Sequence, residues 1–286
     1  MQRGGELMSL IEGKEYQEQA VNGTDICGPD EYIDADGLRV CAICHKPRQI
    51  RRTVLGREII PSVPCRCEEE ERSRKEAERL RREFQQDISR MKADGLQYES
   101  LYDCCFSNDN HKNPQMQYAH KYVEHWHEMK EKGIGLLLWG PVGSGKTFMA
   151  GCIANALLEK RIPVLMTNFA RILNYLTGMF SEERNQFINN LNRYSLLVLD
   201  DLGIERNTEF AMEQIFNVID SRIQCKKPMV VCTNLELEEL KNPPDLEHKR
   251  YYERIREHCV PVKVNAYGFR EENIKETVRT ATRFLH

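Results

Sequence analysis

LLLWGPVGSGKTFMAG runs from Leu136 to Gly151, and how it is read decides the fold of most of the chain. An apolar run enters a glycine-rich turn, and Lys146-Thr147 opens a stretch of helical pattern. Gly140 to Thr147 fits G-x-x-x-x-G-K-[ST] in full. Each residue type has a mechanical reason. Gly140, Gly143 and Gly145 let the backbone turn so that several N–H groups, that of Ser144 among them, face an anion. The following helix adds the partial positive charge of its N-terminus. Lys146 can reach β- and γ-phosphates, and Thr147 can offer its hydroxyl to Mg²⁺. Strand, loop and helix in this order point to a bound nucleotide, with its phosphates in the loop and Mg²⁺ at Thr147. The plainer alternative is a glycine turn that happens to precede Lys-Thr.

Outward from this loop, apolar runs alternate with helical patterns from about Gln97 to His286. Candidate strands are Gly135–Trp139, Pro163–Thr167, Leu196–Leu199, Met229–Thr233 and Val260–Val264. Candidate helices include Asn113–Lys130, Lys146–Glu159 and Thr208–Gln224. Such alternation predicts an α/β fold, a mostly parallel sheet covered by helices. In Leu196-Leu-Val-Leu-Asp200-Asp201 an apolar strand delivers two carboxylates to its C-terminal end, where ligands of open α/β sheets bind. Asp200 is the candidate for holding Mg²⁺, directly or through water. Asp201 is the candidate for orienting or polarising an attacking water. A strand-end pair that only caps the next turn is the alternative. Met229-Val-Val-Cys-Thr-Asn234 is another apolar strand with a polar end. Asn234 lies beside both aspartates if these two strands flank the strand entering the phosphate loop. Its amide would then reach the water or the γ-phosphate. Farther on, Tyr251-Tyr-Glu-Arg254-Ile-Arg256 and Gly268-Phe-Arg270 supply arginines, suited to the spread negative charge of phosphoryl transfer. An arginine so far from the loop can act on a neighbouring subunit's nucleotide or form a surface ion pair.

The first 67 residues have another character. Residues 1–40 carry nine acids and three bases, whereas KPRQIRRTVLGR, 46–57, carries five bases and no acid. That basic loop suits phosphate and a solvated surface about equally. Cys41-Ala-Ile-Cys44 is followed by Cys65-Arg-Cys67, and two short thiolate pairs at this distance suit a tetrahedral Zn²⁺ site. The second pair is one residue tighter than C-x-x-C, so Cys27 and His45 are substitute ligands to weigh. Reduced thiols without metal are the alternative. A domain this small has little core, so zinc would contribute to its folding. Of the 11 cysteines, Cys152, Cys225, Cys232 and Cys259 sit in apolar or mixed stretches and read as core or neutral. Cys104-Cys105 receives no assignment. An odd count argues against a disulfide framework.

Between these parts, residues 68–95 open with EEEERSRKEAERLRRE, in which 13 of 16 residues are charged. Opposite charges three and four apart favour an exposed helix. The expected domains are 1–67, a helical linker over 68–96, and 97–286. No apolar stretch reaches the roughly 18 residues of a membrane span. The first residues lack a signal-peptide core, so a cytoplasmic location is expected. The net charge of -3 argues neither for nor against nucleic acid.

GPVGSGKT, LLVLDDLG, VVCTNLELEEL, then YYERIREHC with GFR downstream, resemble the AAA+ ATPase domain of bacterial replicative helicase loaders of the DnaC/DnaI type. Transposition helper ATPases of the IstB type share these motifs. The resemblance covers Tyr98 to Arg270. It implies Walker A at Gly140–Thr147, Walker B at Leu196–Asp201, sensor 1 at Asn234, an arginine finger at Arg254 and a sensor-2-like residue at Arg270. Val-Cys-Thr-Asn stands where the family usually shows Thr-Thr-Asn. The family also carries an insertion-like helix that helps grip single-stranded DNA. Ala170–Asn192 is the segment for it here, without a residue-by-residue match. DnaI-type loaders have a zinc-bearing N-terminal domain that contacts the helicase, which implies a protein-binding role for the cysteine-rich part. The resemblance thus implies an ATP-dependent loader whose partners are a replicative DNA helicase, single-stranded DNA and, when ATP-bound, further copies of itself. Hydrolysis would time helicase release. A transposition helper acting on duplex DNA with a transposase, and a non-hydrolysing nucleotide-bound adaptor, are the competing readings. A small-molecule P-loop kinase is disfavoured, because no arginine-rich lid segment follows the Walker B strand.

Overall fold

The computed structural model describes residues 28–203, 208–243, 245–265 and 269–285; the side chains of 269–273 and 276 lie outside the description. The chain divides into two compact units between Leu80 and Arg81.

The N-terminal unit holds two short antiparallel hairpins. β1 (Glu31–Ile33) pairs with β2 (Arg39–Cys41), and β3 (Arg52–Val54) pairs with β4 (Arg57–Ile59). The Asp34 carboxylate accepts the N–H groups of Asp36 and Leu38 and so shapes the first hairpin's turn. The long helix α1 (Arg66–Gly95) follows, with the unit boundary inside it. Its first part shows the expected i,i+4 pairs, Arg66–Glu70 and Lys75–Glu71. Within the second unit its end is tied by Lys92–Glu159 at 3.0 Å and by Arg161 pairing with Asp87. Gly95 closes the helix because a Cβ there would collide with the Val164 carbonyl.

The second unit is built on a five-stranded sheet. The strands are β5 (Gly135–Trp139), β6 (Val164–Asn168), β7 (Leu196–Leu202), β8 (Met229–Thr233) and β9 (Cys259–Lys263). Their spatial order is β6-β7-β8-β5-β9, and every pairing is parallel. The helices are α2 (Met116–Glu124), α3 (Trp126–Lys132), α4 (Lys146–Glu159), α5 (Phe169–Leu176), α6 (Ser181–Leu191), α7 (Glu209–Gln224), α8 (Leu237–Lys241), α9 (Leu246–His258) and α10 (Phe269–Leu285). Alternate strand residues serve the two faces. Leu136, Leu138, Val198 and Val230 pack with α2, α3 and α4. Leu137, Leu197, Leu199 and Val231 pack with α5, α6, α7 and α9. Burial on both faces explains the unbroken apolar runs.

Two expectations change. The single helix foreseen over Asn113–Lys130 is two helices, α2 and α3. His125, at φ -94 and ψ 26, breaks the run, and Trp126 beyond it is 2% exposed in the core. Tyr122 fixes the break by donating its hydroxyl to the Ile134 carbonyl at 2.9 Å. The strand ending in Asn234 does not join the aspartate strand in flanking β5. Instead β8 itself lies between β5 and β7. Among the described residues no helix is long and apolar enough to cross a membrane.

Candidate functional site

The phosphate loop leaves β5 at Trp139 and enters α4 at Lys146. Gly140, Gly143 and Gly145 have φ of 143, 80 and 92, values that side chains rarely tolerate. At Gly140 a Cβ would also strike the Val264 carbonyl at the end of β9. Ser144 is buried at 1% exposure, and its hydroxyl lies 3.5 Å from the Lys146 ammonium. Lys146 curls back over the loop and donates to the carbonyls of Gly140 and Pro141, both at 2.8 Å. The ammonium is thus held inside the loop's curve, where an anion would meet it. Thr147, one residue into α4, donates its hydroxyl to Asp200 Oδ2 at 2.8 Å. Side chains far apart in sequence meet here, a hydroxyl and a carboxylate of the kind that bind Mg²⁺.

Asp200 and Asp201 sit in a β-bulge. Leu199 pairs with Val231 and Leu202 with Thr233, so β7 advances by one residue more than β8. The extra residue bends the strand. Asp201 adopts φ 58, an uncommon conformation for a residue with a side chain. Its N–H donates to Asp200 Oδ1 at 3.1 Å. Thr233 locks the bulge by donating to the Leu202 carbonyl at 2.8 Å. Thr233 stands opposite Trp139 on one side and Leu202 on the other. Asn234 follows it in the chain and is half-buried. Cys232, where the family pattern has threonine, is fully buried behind the loop, and burial holds its thiol well above the usual range.

A cavity of about 230 Å³ opens beside the loop, lined by Asn108, Asp109, Asn110, Asn113, Met116, Gly145 and Phe148. Its size and its mix of carboxamides with an aromatic wall suit a nucleobase. Sequence reading missed these residues. The one available signal was the polar run Ser107-Asn-Asp-Asn110 shortly before the first helix, which resembles any loop.

Arg254 is not brought to the loop of its own chain. It lies on α9, paired with Asp220 at 3.5 Å and Glu257 at 3.9 Å, with 39% of its side chain exposed. Arg270 falls in the first turn of α10, and its side chain lies outside the description.

In the N-terminal unit, Cys41, Cys44, Cys65 and Cys67 converge, with all four sulfurs within 4.8 Å of one another. A tetrahedral Zn²⁺ with bonds near 2.3 Å places sulfurs roughly 3.8 Å apart, so the cluster fits the metal. Cys41 ends β2, and its carbonyl accepts the N–H of His45, whose φ is 52. That turn swings Cys44 back toward Cys41. The Cys67 backbone N–H draws the Cys44 thiol down to about 6. Cys67, hydrogen-bonded to Cys44, is pushed up to about 12. The backbone N–H of Glu68, followed by Arg48, lowers Cys65. Arg48 is itself anchored to Glu31 at 2.6 Å. Four crowded sulfurs, with the Cys44 and Cys65 thiols lowered by N–H donors, are a donor set that a dication would satisfy. His45 stays exposed, near the Tyr32 hydroxyl and outside the cluster. Cys27 lies outside the described residues. Of the cysteines expected to be core or neutral, Cys152, Cys232 and Cys259 are buried, while Cys225 is exposed at the end of α7.

Residues 70–277, more than half of the chain, match the family described as IstB-like ATP binding protein. The chain belongs to that family. The replicative helicase loader DnaC of Escherichia coli (strain K12) is 31% identical over 127 residues, 43% of this chain and 50% of DnaC. The replicative helicase loader DnaI of Bacillus subtilis (strain 168) is 31% identical over 148 residues, 47% of each chain. The chain therefore spans about half the length of these curated relatives. A crystal structure of DnaI matches with a TM-score of 0.51 at 20% identity, covering 60% of this chain and 96% of that one. At that identity the likeness speaks for the fold alone, an α/β domain on a parallel sheet.

Proposed function

We propose that this protein is an ATP-dependent loader of a replicative DNA helicase. One observation carries the reading. The chain joins a Walker-type site, closed by the Thr147–Asp200 contact, to a separate unit bearing a four-thiol cluster, and it is similar to DnaC and DnaI. The backbone N–H groups of the loop receive the phosphates of ATP, and Lys146 exchanges its carbonyl acceptors for phosphate oxygens. Mg²⁺ held by Thr147 and Asp200 would neutralise charge on the phosphates. Asp201, set apart by the bulge, orients the attacking water, and Asn234 hydrogen-bonds the water or the γ-phosphate. Arg254 acts on the nucleotide of a neighbouring copy. Its exposed ion pairs, at 3.5 and 3.9 Å, are of a kind that exchanges readily. Arg270 contributes from α10. The base of ATP enters the cavity beside Phe148.

Single-stranded DNA is gripped by the α5–α6 region. Tyr175 and Phe180 are exposed there, and Arg171 lies 5.0 Å over the Tyr98 ring, a mixture suited to bases and phosphates. The cysteine cluster holds Zn²⁺ as a structural ion for the unit that meets the helicase. Hydrolysis times helicase release, in the cytoplasm.

The test is steady-state ATPase activity, alone and with single- or double-stranded DNA, followed by binding to the purified replicative helicase. Single strands stimulate turnover, and Asp201→Asn lowers it about 10²–10⁴-fold while ATP still binds. Failure of the wild type to bind the helicase of its own cell overturns the loader. The family description names IstB, which favours a second reading, a transposition helper; stimulation by duplex alone would select it.

A further inference from the structure

Cys232 has no part in the chemistry assigned to Lys146, Thr147, Asp200, Asp201 and Asn234, yet it sits among them. It lies in β8, the strand between β5 and β7, opposite Leu138 on the β5 side. On the β7 side Val231 pairs with Leu199 and Thr233 with Leu202, so Asp200 and Asp201 are the two residues that oppose Cys232 at the bulge. The Cys232 side chain is 0% exposed and packs on the sheet face that α4 covers, together with Leu138, Val198 and Val230. Asp200 turns to the same helix, since it accepts the Thr147 hydroxyl. Alternate residues of a strand share a face, and cross-strand neighbours on that face touch. The thiol and the carboxylate are therefore brought side by side.

The sulfur of Cys232 has two acceptors in reach. It lies 4.0 Å from the Lys146 carbonyl in the first turn of α4, and its thiol hydrogen-bonds the Asp200 carboxylate. Cys259, equally deep in the core, meets only a backbone acceptor, the Met229 carbonyl at 3.7 Å. The Asp200 carboxylate is thus held from three directions. Thr147 donates to Oδ2 at 2.8 Å, the Asp201 N–H donates to Oδ1 at 3.1 Å, and the Cys232 thiol approaches from the neighbouring strand. The Thr147 contact has to change when that hydroxyl turns its oxygen to Mg²⁺. The Asp201 N–H and the Cys232 thiol belong to the sheet and need not move. Partners of this kind orient a metal-binding carboxylate without touching the metal. A thiol is a weak donor, but at a site closed to water nothing replaces a donor that is removed.

We propose that Cys232 is a positioning residue of the Mg²⁺ site, its thiol holding the Asp200 carboxylate toward Thr147. It acts through Asp200 alone and touches neither nucleotide nor metal. Threonine, usual in the family at this position, offers a hydroxyl to the same carboxylate, whereas valine has the same shape and no donor. The inference rests on the reading of Thr147 and Asp200 as the holders of Mg²⁺.

The experiment compares full-length wild type with Cys232→Thr, Cys232→Val and Cys232→Ala. Equilibrium binding of ATP is measured without Mg²⁺ and in rising Mg²⁺, beside the Mg²⁺ concentration that half-saturates ATPase turnover. Cys232→Val is expected to raise that concentration about tenfold, the low end for the partner of a metal-binding carboxylate because the donor is a thiol. Its ATP affinity without Mg²⁺ and its turnover at saturating Mg²⁺ stay near those of wild type. Cys232→Thr is expected to keep the wild-type requirement. Cys232→Ala removes the donor without adding volume, so it decides the matter where valine overpacks the site and lowers the melting temperature. Alanine and valine are expected to agree. Donor-free variants that match wild type, or a threonine variant as impaired as the valine one, would overturn the inference and reduce Cys232 to packing. The Mg²⁺ reading of Thr147 and Asp200 would stand in that case, provided Mg²⁺ still tightens ATP binding by the wild type. A wild type whose ATP affinity ignores Mg²⁺ would overturn both.

Discussion

In the ATPase unit, Leu137, Leu138, Leu197, Val198, Val230 and Val231 are fully buried, and helices cover both faces of their sheet. In the N-terminal unit the buried apolar residues, among those described, are Val40, Cys41 and Cys65. Two of these three are in the thiol cluster. One unit can hold its shape by the hydrophobic effect, because each large aliphatic side chain it buries contributes about 1.5–3 kcal/mol. The other has hairpins, ion pairs around Glu31 and four sulfurs. A metal held by the cluster would supply most of its order, so removing a ligand is expected to dissolve the small unit while the large one stays folded.

Chelation is the strongest way to break this comparison. Structural Zn²⁺ contributes roughly 10–16 kcal/mol of metal-coupled folding in small domains, far more than the residual core can replace. A strong chelator, or Cys65→Ser, is expected to unfold the N-terminal unit and leave the melting transition of the ATPase unit in place. Limited proteolysis followed by mass spectrometry reads this directly. Cleavage confined to residues before α1 is the expected pattern. Continued protection of Val40 after metal removal would show that the small unit has another source of stability.

Arg222 probes the other side of the comparison. It is 0% exposed, and among the described residues it has no acidic partner. Its guanidinium donates to the carbonyls of Leu191, Tyr194, Ser195 and Pro228 at 3.2, 2.9, 3.4 and 2.8 Å. It thereby ties the end of α6, the entry to β7 and the entry to β8. Burial pulls its pKa down to about 10, so it remains charged at neutral pH. Arg222→Met keeps much of the volume but leaves buried carbonyls without donors, a loss of about 1–3 kcal/mol. Urea unfolding of the ATPase unit should show a lower midpoint, while metal retention by the cysteine cluster is unchanged. An unaltered midpoint would mean that water replaces the guanidinium.

The same contrast explains what the sequence allowed to be read. Four of the five strands were visible because burial on both faces makes each an apolar run, such as Leu136-Leu-Leu and Met229-Val-Val, whereas edge strand β9 exposes Val260, Pro261 and Lys263. The phosphate loop was visible because its glycines obey backbone geometry, which leaves a mark at fixed spacing. The hairpins of the small unit left no such mark. Their strands are three residues long and bury almost nothing, so no hydrophobic alternation exists. The bulge at Asp201 was equally hidden, since it depends on the register of β7 against β8. The cavity beside Phe148 joins residues on either side of β5, a proximity that only the folded sheet creates. The break at His125 carries no proline or glycine to announce it; the burial of Trp126 enforces it.

Asp245 gives the smallest effect and the sharpest check that surface charge adds little to the large unit. Its carboxylate caps α9 by accepting the His248 N–H at 2.8 Å, and it also meets the His248 ring at 2.7 Å. The backbone N–H of His248, followed by the ring, holds the Asp245 pKa below the usual carboxylate range. A carboxyl whose pKa is depressed in the folded state stabilises that state above its unfolded pKa, about 3.9. This contribution is lost as pH falls through the lower, folded value. Asp245→Asn keeps a capping oxygen and removes the charge. The variant should therefore melt slightly below wild type at pH 6, and the gap should close as pH falls below the unfolded value and through the lower, folded one. A gap that persists undiminished into acid would mean that Asp245 acts through its shape as a cap and that its charge is immaterial.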